Sequence, residues 1–315
     1  MTGRDFRGPQ SEQRRHGRRA LATGDRGRVR GHMRPVARRE LFCLGLLPLA
    51  AIHRPAWASS PLLPFIELDH VSIRVSDVRR SARFYMQLFG SDAARDANRQ
   101  ANPGSRSGEL WFIRLGRSHL ALAPAFADEA PGVDHYCLSV SKFAKDSAKA
   151  TLAQFDQPFP DWPSNNVWLK DPDGRLIQLA PSANEPQIPG IVRNAVPAPR
   201  TADLPATAPF RAARISRLVL SSTRWAAAQS YYGRLLGDAQ PSGRSYSHSV
   251  GPSAVILQEG GQSSLRIAIE SFDKAAVTRT ASSIGAAVDP GADPMVVRLR
   301  DPDGLTFEIA AAPEG

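Results

Sequence analysis

The chain has 315 residues, of which 42% are hydrophobic, and this is enough apolar material for two ordinary folded domains. Its formal net charge is +10, but residues 1–58 hold 13 of the 40 basic and 4 of the 30 acidic residues, so the remainder is close to neutral at +1. A nucleic-acid role needs a basic surface, so this distribution argues against such a role for the folded part of the chain.

The first 32 residues are rich in Arg and Gly and lack apolar periodicity, so they are not expected to fold alone. They fit either an RNA-binding arm or a stretch that precedes the true start of translation at Met33. We favour the second interpretation, because a complete export signal follows Met33.

Residues 33–58 contain the three parts of a secretory signal. Arg38 and Arg39 form an arginine pair, residues 44–52 form an apolar run too short to span a bilayer permanently, and residues 56–58 give an A-x-A site. We expect twin-arginine export to the periplasm or the exterior, with no membrane contact after removal of the signal; a helix packed on the body is the alternative. The mature chain then keeps one of the two cysteines, Cys137, which excludes a disulfide framework.

The folded part begins with a strand and a helix. Residues 65–75 alternate polar and apolar side chains and predict a half-buried strand. A helix is predicted over residues 78–89, with Ser76 or Asp77 as its cap and Gly90 at its end. Strands are predicted over residues 109–115 and 119–123, and the polar stretch before them must supply one more strand and a loop.

A second unit of the same kind follows. Residues 133–140 repeat the opening strand, including its Asp-His pair, and Ser141 is predicted to cap a helix over residues 142–155. Asp-Pro-Asp-Gly at residues 171–174 predicts a tight turn between two antiparallel strands. Strand, helix and three strands therefore occur twice, which predicts one domain over residues 62–182 with two similar halves.

The plan is repeated after a connector. Residues 183–213 are rich in Pro and predict a semi-extended linker. A second domain is predicted over residues 214–313, with helices over residues 223–236 and 272–284 and a second Asp-Pro-Asp-Gly turn. Four copies of one unit indicate an internal duplication.

These motifs together resemble the vicinal oxygen chelate superfamily, which includes glyoxalase I, fosfomycin and bleomycin resistance proteins and extradiol dioxygenases. The resemblance rests on Leu-Asp-His-Val from residue 68, Phe-Tyr-x-x-Leu-Phe-Gly from residue 84, the second Asp-His and the Asp-Pro-Asp-Gly turns. It covers residues 65–181 well and residues 214–312 more weakly. It implies an α+β fold of tandem domains, each made of two βαβββ modules that form a curled mixed sheet with helices on the convex face.

Strand parity places His70, His135 and Gln178 on polar strand faces that are expected to line one concavity. The resemblance implies that these three residues hold a divalent metal ion, either zinc, manganese, iron(II) or nickel. His119 has the parity to be a fourth ligand or a catalytic acid or base. Gln178 stands where the family usually has a carboxylate; a neutral ligand weakens the attraction for the ion and argues against iron-dependent ring cleavage.

The equivalent positions of the second domain are Arg217, Ser264 and Glu308, so only a carboxylate is retained and no metal is expected there. This domain would close the pocket of the first domain, bind an anion at Arg217 or form an Arg217–Glu308 ion pair, which we slightly favour.

The sequence thus predicts a metal-dependent lyase, isomerase or oxygenase acting on neighbouring oxygens of a small-molecule substrate, with no nucleic-acid partner. The alternative is a non-catalytic binding protein of the bleomycin resistance type, with Trp111 and Trp168 in its pocket. A degenerate scaffold that serves assembly is a third interpretation.

Overall fold

The computed structural model describes residues 60–90, 92–96, 108–155, 165–181, 195–197, 204–289 and 291–312. All of them lie in the compact unit His53–Gly315. The Arg-rich residues 1–32 and the signal peptide predicted over residues 33–58 lie outside the described residues. None of the described helices is both long and apolar enough to cross a membrane.

The first half of the fold is a mixed sheet of eight strands. These are β1 (Phe65–Val75), β2 (Ala93–Asp96), β3 (Trp111–Leu115), β4 (Ser118–Pro124), β5 (Gly132–Val140), β6 (Val167–Lys170), β7 (Leu176–Pro181) and β8 (Ala195–Pro197). Their order is β6-β7-β5-β1-β4-β3-β2-β8. The central strand β1 runs parallel to β4 and antiparallel to β5. Within the described residues, two α-helices, α1 (Val78–Phe89) and α2 (Lys145–Leu152), connect these strands.

The second half repeats this architecture. Its strands are β9 (Ala212–Ser222), β10 (Ala239–Ser242), β11 (Ser245–Val250), β12 (Ser253–Glu259), β13 (Ser264–Ile269), β14 (Ala287–Asp289), β15 (Val296–Arg300) and β16 (Thr306–Ala311). Their order is β10-β11-β12-β9-β13-β16-β15-β14, again with the first long strand near the centre. The helices are α3 (Trp225–Leu236) and α4 (Lys274–Ser283). The predicted α+β fold of two curled mixed sheets is confirmed.

The ends of the first helix agree with those predicted from the sequence. Helix α1 has the predicted bounds, its N-cap Asp77 accepts hydrogen bonds from the backbone amides of Arg79 and Arg80, and Gly90 follows its last residue. The predicted cap of the next helix is wrong. Helix α2 begins at Lys145 after Ala144, because Lys142 adopts the left-handed conformation with φ 49° and turns the chain away before the helix starts.

A segment of the Pro-rich connector pairs with the first sheet. Strand β8 lies within residues 183–213 and pairs with β2 at the sheet edge, so this part of the predicted linker extends the sheet. The sheets draw on residues 65–197 and 212–311, and the domain boundaries given by the sequence remain predictions. One strand expected between α2 and β6 falls on residues 156–164, outside the described residues.

Both Asp-Pro-Asp-Gly turns form the predicted hairpins, between β6 and β7 and between β15 and β16. Each turn also contacts the first helix of the other half. Asp303 accepts hydrogen bonds from Ser76, Arg80 and Ser81, which surround the start of α1. Asp173 accepts hydrogen bonds from the backbone amides of Thr223 and Arg224 at the start of α3. The two halves are therefore joined by a reciprocal pair of polar contacts.

A buried tyrosine accompanies each of these contacts. Tyr85 of α1 donates to Asp301 at 3.0 Å, and Tyr232 of α3 donates to Asp171 at 3.0 Å. The apolar faces of the two sheets and the buried faces of the helices form one continuous hydrophobic core. The opposite sheet faces are therefore left to carry polar side chains.

Candidate metal centre

The strand register brings the predicted site residues onto one face of the first sheet. His70 on β1 lies opposite His119 on β4 and opposite Cys137 on β5, and Cys137 lies opposite Gln178 on β7. Residues that face one another across a ladder project to the same side of the sheet. His135, two residues before Cys137, projects to this side as well.

Three imidazole rings meet on this face. The rings of His70 and His119 are stacked with centroids 4.4 Å apart, and the ring of His135 meets that of His70 edge-on at 5.5 Å. The expectation that His70 and His135 lie together is therefore confirmed. Trp168 packs against His135 at 5.1 Å and Phe112 against His119 at 5.8 Å, so aromatic rings flank the cluster on two sides.

Each of the two Asp-His pairs lies at an irregularity in the pairing of β1 with β5. Asp69 is the extra residue on β1 beside the His70–Cys137 pair, and Asp134 is the extra residue on β5 beside the Ser72–His135 pair. A bulge re-aims a side chain that strict alternation would turn to the other face. Two carboxylates thereby reach the imidazole face.

These carboxylates contact the neighbouring imidazoles. Asp69 Oδ1 lies 2.6 Å from His70 Nδ1, and Asp134 Oδ2 lies 2.7 Å from His135 Nδ1. A carboxylate on Nδ1 favours the tautomer that is protonated there and leaves Nε2 with a lone pair. Sequence reasoning missed Asp69 and Asp134 as site residues because it applied strict parity; the repeated Asp-His dipeptide was the signal that could have found them.

The environment decides the charge of these groups. Burial alone would raise the pKa of Asp69 and of Asp134, but hydrogen bonds and charge interactions with His70 and His135 outweigh it and lower both pKa values. Burial lowers the pKa of His135, although the hydrogen bond that its ring makes to the Asp134 carboxylate opposes this. The site at neutral pH therefore holds two carboxylates beside an uncharged His135.

His119 is the most enclosed of the three histidines. It is 0% exposed, and burial followed by repulsion from His70 lowers its pKa to about 3. Neither ring nitrogen has a hydrogen-bond partner among the described residues, and Nδ1 lies 3.8 Å from Asp69 Oδ1. At neutral pH His119 is thus a neutral imidazole with a lone pair that can bind a metal ion.

Two possible sets of metal ligands both include His70. One is the predicted set of His70, His135 and Gln178. The other consists of Asp69, His70 and His119, whose ligand atoms all lie within 4.8 Å of one another. Gln178 is 6% exposed and lies opposite Trp168 on β6. Its side chain therefore belongs to the same sheet face as the three imidazoles.

Arg74 and Cys137 also belong to this region. The Arg74 guanidinium donates a hydrogen bond to Asp134 at 3.0 Å and lies over the ring of Phe126. Arg74 was not predicted as a site residue from the sequence. Burial, followed by the charge of Asp69, raises the pKa of the Cys137 thiol well above its usual value, so Cys137 is a protonated buried side chain.

One predicted pocket residue lies elsewhere. Trp111 belongs to the hydrophobic core and lines a cavity of about 390 Å³ with Arg79 and Met86 of α1. Because neighbouring residues of a strand point to opposite faces, Phe112 takes the position on the imidazole face. The prediction that Trp111 lines the site is therefore wrong.

The second sheet carries different residues at the equivalent positions. Arg217 on β9 corresponds to His70, and Arg266 on β13 corresponds to Cys137. Glu308 corresponds to Gln178 and pairs with Arg266 at 2.6 Å and with Arg298 at 3.2 Å. The favoured Arg217–Glu308 ion pair is therefore wrong, because Arg266 lies directly opposite Glu308 in the β13–β16 ladder.

Comparison with known proteins supports this description of the fold. Residues 67–179 match the family model of the Glyoxalase/Bleomycin resistance protein/Dioxygenase superfamily. No curated protein shows significant similarity to the chain.

Several solved structures share the fold at low sequence identity. The 2,3-dioxygenase LapB from Pseudomonas sp. KL28 is 17% identical with a TM-score of 0.52, and the match covers 81% of this chain and 93% of that one. The Mn(II)-bound glyoxalase from Novosphingobium aromaticivorans is 14% identical with a TM-score of 0.55, over 80% and 84% of the two chains. A variant of homoprotocatechuate 2,3-dioxygenase from B. fuscum in complex with HPCA is 13% identical with a TM-score of 0.54, over 80% and 72%.

Proposed function

Because the segment of residues 67–179 belongs to the glyoxalase, bleomycin resistance protein and dioxygenase superfamily, also called the vicinal oxygen chelate superfamily, we propose that this protein is a metal-dependent enzyme acting on a small molecule. The observation that carries the proposal is the meeting of three imidazoles on one sheet face, two of them held by carboxylates. The substrate would present two neighbouring oxygens, and the reaction would be a lyase, isomerase or oxygenase step.

The residues present fit a divalent metal ion. His70 and His135 would bind it through Nε2, since Nδ1 of each faces a carboxylate, and Gln178 would bind through its amide oxygen. Among the described residues neither ring nitrogen of His119 has a hydrogen-bond partner, which supports a ligand at that ring. When bound, the ion would act as a Lewis acid toward the two substrate oxygens.

The side chains around this centre have separate tasks in the proposal. Asp69 and Asp134 hold the rings of His70 and His135 in orientation. His119 would serve as a further ligand rather than as a proton acceptor, because its pKa of about 3 leaves its lone pair free at neutral pH and makes the ring a weak base. Phe112 and Trp168 limit the access of water to the imidazoles.

Calorimetric titration of the chelator-treated full chain with Mn(II) and Zn(II) tests the proposal. We expect one site per chain, loss of binding in His70→Ala and in His135→Ala, and tighter binding in Gln178→Glu, which restores a carboxylate. The matched control His248→Asn changes a buried histidine of the second sheet and should leave binding unchanged. If His119→Ala abolishes binding while His135→Ala does not, the ligand set is Asp69, His70 and His119 instead.

A non-catalytic binding protein is the second candidate. The neutral Gln178 in place of a carboxylate and the contact of Trp168 with His135 favour it, because an aromatic wall can hold an organic ligand without a metal. For this candidate, chelators would leave the thermal stabilisation by a catechol or an α-hydroxycarbonyl compound unchanged. Loss of that stabilisation on chelation would contradict it.

We also propose that the chain is exported through its arginine pair and processed near residue 58. The signal-like order of residues 33–58 supports this. Replacement of both Arg38 and Arg39 by Lys should retain the protein in the cytoplasm in its unprocessed form, and fractionation with N-terminal sequencing measures this. Unchanged processing of the double variant would count against twin-arginine export.

A further inference from the structure

A cavity of about 560 Å³ lies on the face of the second sheet that corresponds to the imidazole face of the first. Arg217 on β9 lies opposite Ala254 on β12, as His70 lies opposite His119. Ala254 and Ser264 thus occupy the places that imidazole rings take in the first sheet. Ser264 lines the cavity, and its hydroxymethyl group is much smaller than an imidazole ring, so this exchange leaves space open to a ligand.

Cations outnumber carboxylates around this cavity. Among the described residues, the charged side chains that line it or pair with its lining are Arg217, Arg266, Arg298 and Arg300 against Asp289 and Glu308. The excess of positive charge is local, because the chain beyond residue 58 is almost neutral overall. A basic concavity of this kind attracts small anions.

The two carboxylates are already engaged by other arginines. Glu308 lies 2.6 Å from Arg266 and 3.2 Å from Arg298, and Arg298 also lies 3.7 Å from Asp289. Within the described part of the chain, Arg217 has no carboxylate at ion-pair distance. Its side chain is partly buried, and burial followed by repulsion from Arg266 lowers its pKa despite the opposing charge of Glu308. A partly desolvated guanidinium is therefore left without an ion-pair partner among the described residues.

We propose that this cavity binds a small polar anion that carries a carboxylate or phosphate group, and that Arg217 pairs with the oxygens of that group. The planar guanidinium can donate two parallel hydrogen bonds to either oxyanion. Ser264 and Thr306 supply hydroxyl groups in the lining. Gln258 donates its amide N–H to the Gly260 carbonyl, which leaves the amide oxygen of Gln258 for a donor on the ligand. This site lies in the second sheet and does not depend on the proposed metal centre.

Calorimetric titration of the full chain with inorganic phosphate and, separately, with succinate tests this inference. We expect saturable binding of at least one of the two anions. Arg217→Gln should weaken it about tenfold or more, because a hydrogen bond to a charged group is lost together with its partner. Arg217→Lys should retain part of the affinity, since it keeps the charge and loses the bidentate geometry.

Two controls separate this site from other sources of anion binding. Arg211→Gln removes the same charge from a residue that is mostly exposed and pairs with Glu270, and should leave the affinity within about twofold. His70→Ala should not change it either, because the anion would not occupy the first sheet. Should Arg217→Gln fail to fold, Ser264→Asp is the second variant; its carboxylate in the lining should weaken binding comparably.

The proposal is overturned if neither anion binds saturably, or if Arg217→Gln and Arg211→Gln weaken binding equally. It is also overturned if His70→Ala abolishes binding, because the anion then occupies the first sheet. The ratio of phosphate to succinate affinity identifies which oxyanion the cavity prefers.

Discussion

At the scale of single residues, the carboxylate beside each imidazole determines what that ring can do. Asp69 and Asp134 fix the orientation of His70 and His135 and keep Nε2 available. His119 has no such partner, and its buried ring nitrogens are unsatisfied among the described residues. An unsatisfied buried polar group costs stability, so His119 is more readily explained by function than by packing.

We predict that Asp134→Asn lowers the affinity for a divalent ion about 10- to 100-fold, since partners of ligating histidines typically contribute that much. Competition with a chromogenic chelator measures the affinity. Asp146→Asn makes the same chemical change on the exposed first turn of α2 and should have no effect. An affinity that is equal in the two variants would show that Asp134 does not act on the metal through His135.

We predict that His119→Met stabilises the metal-free protein by about 1 kcal/mol at pH 7, because an apolar side chain of similar size removes an unsatisfied buried group. Urea unfolding of the chelator-treated protein measures the free energy. Loss of stability in this variant would mean that the ring is held by contacts of its own and is a structural residue.

At the scale of elements, the irregularities of the β1–β5 ladder at the two Asp-His pairs explain where sequence reasoning was right and where it failed. Alternation along the strands correctly placed His70, His119, His135 and Gln178 on one face. It could not place Asp69 and Asp134 there, because a bulge depends on how two strands pair; the repeated Asp-His dipeptide was the one sequence feature that pointed to them. The helix bounds were well predicted where a cap is local, as at Asp77, and poorly at Ser141, where Lys142 turns the chain.

A buried histidine of the second sheet gives an element-scale prediction about pH. His248 on β11 lies 3.0 Å from the Gly237 carbonyl, and burial lowers its pKa to about 4. In the unfolded chain this histidine binds a proton near pH 6.5. The free energy of unfolding is therefore unaffected by His248 above that pH and decreases as the pH falls from 6.5 toward 4. Over this range the free energy of unfolding decreases by about 3 kcal/mol.

We therefore predict that His248→Asn, whose amide can still donate to the Gly237 carbonyl, loses less stability than the wild type between pH 7 and pH 4. Melting temperatures at several pH values measure the difference. Parallel curves for the two proteins would show that His248 is not the titrating group.

At the scale of the whole molecule, the two Asp-Pro-Asp-Gly turns join the halves of the fold. The sequence predicted the turns because their residue types suit a tight hairpin. It could not predict that Asp173 and Asp303 would cap helices of the other half, because that contact depends on the packing of the two sheets. The fold was thus predictable from local repeats, whereas the contacts between the repeats were not.

We predict that Asp303→Ala destabilises the protein by about 2–4 kcal/mol, because several donors at the start of α1 lose an ionised acceptor whose side chain is 3% exposed. Urea unfolding measures the change, and Asp128→Ala at an exposed position is the control. A change of less than about 0.5 kcal/mol, the size typical of surface substitutions, would show that the turn does not hold the halves together.

The central claim is that His70 and His135 hold a divalent ion on the inner face of the first sheet. Elemental analysis of the full chain, purified at neutral pH without chelators, tests it most directly when the wild type is compared with the His70→Ala, His135→Ala double variant. We expect about one divalent ion per wild-type chain and almost none in the folded double variant. A wild-type protein that contains no divalent ion even after incubation with zinc, manganese, iron(II) or nickel, or a double variant that retains the ion, would contradict it.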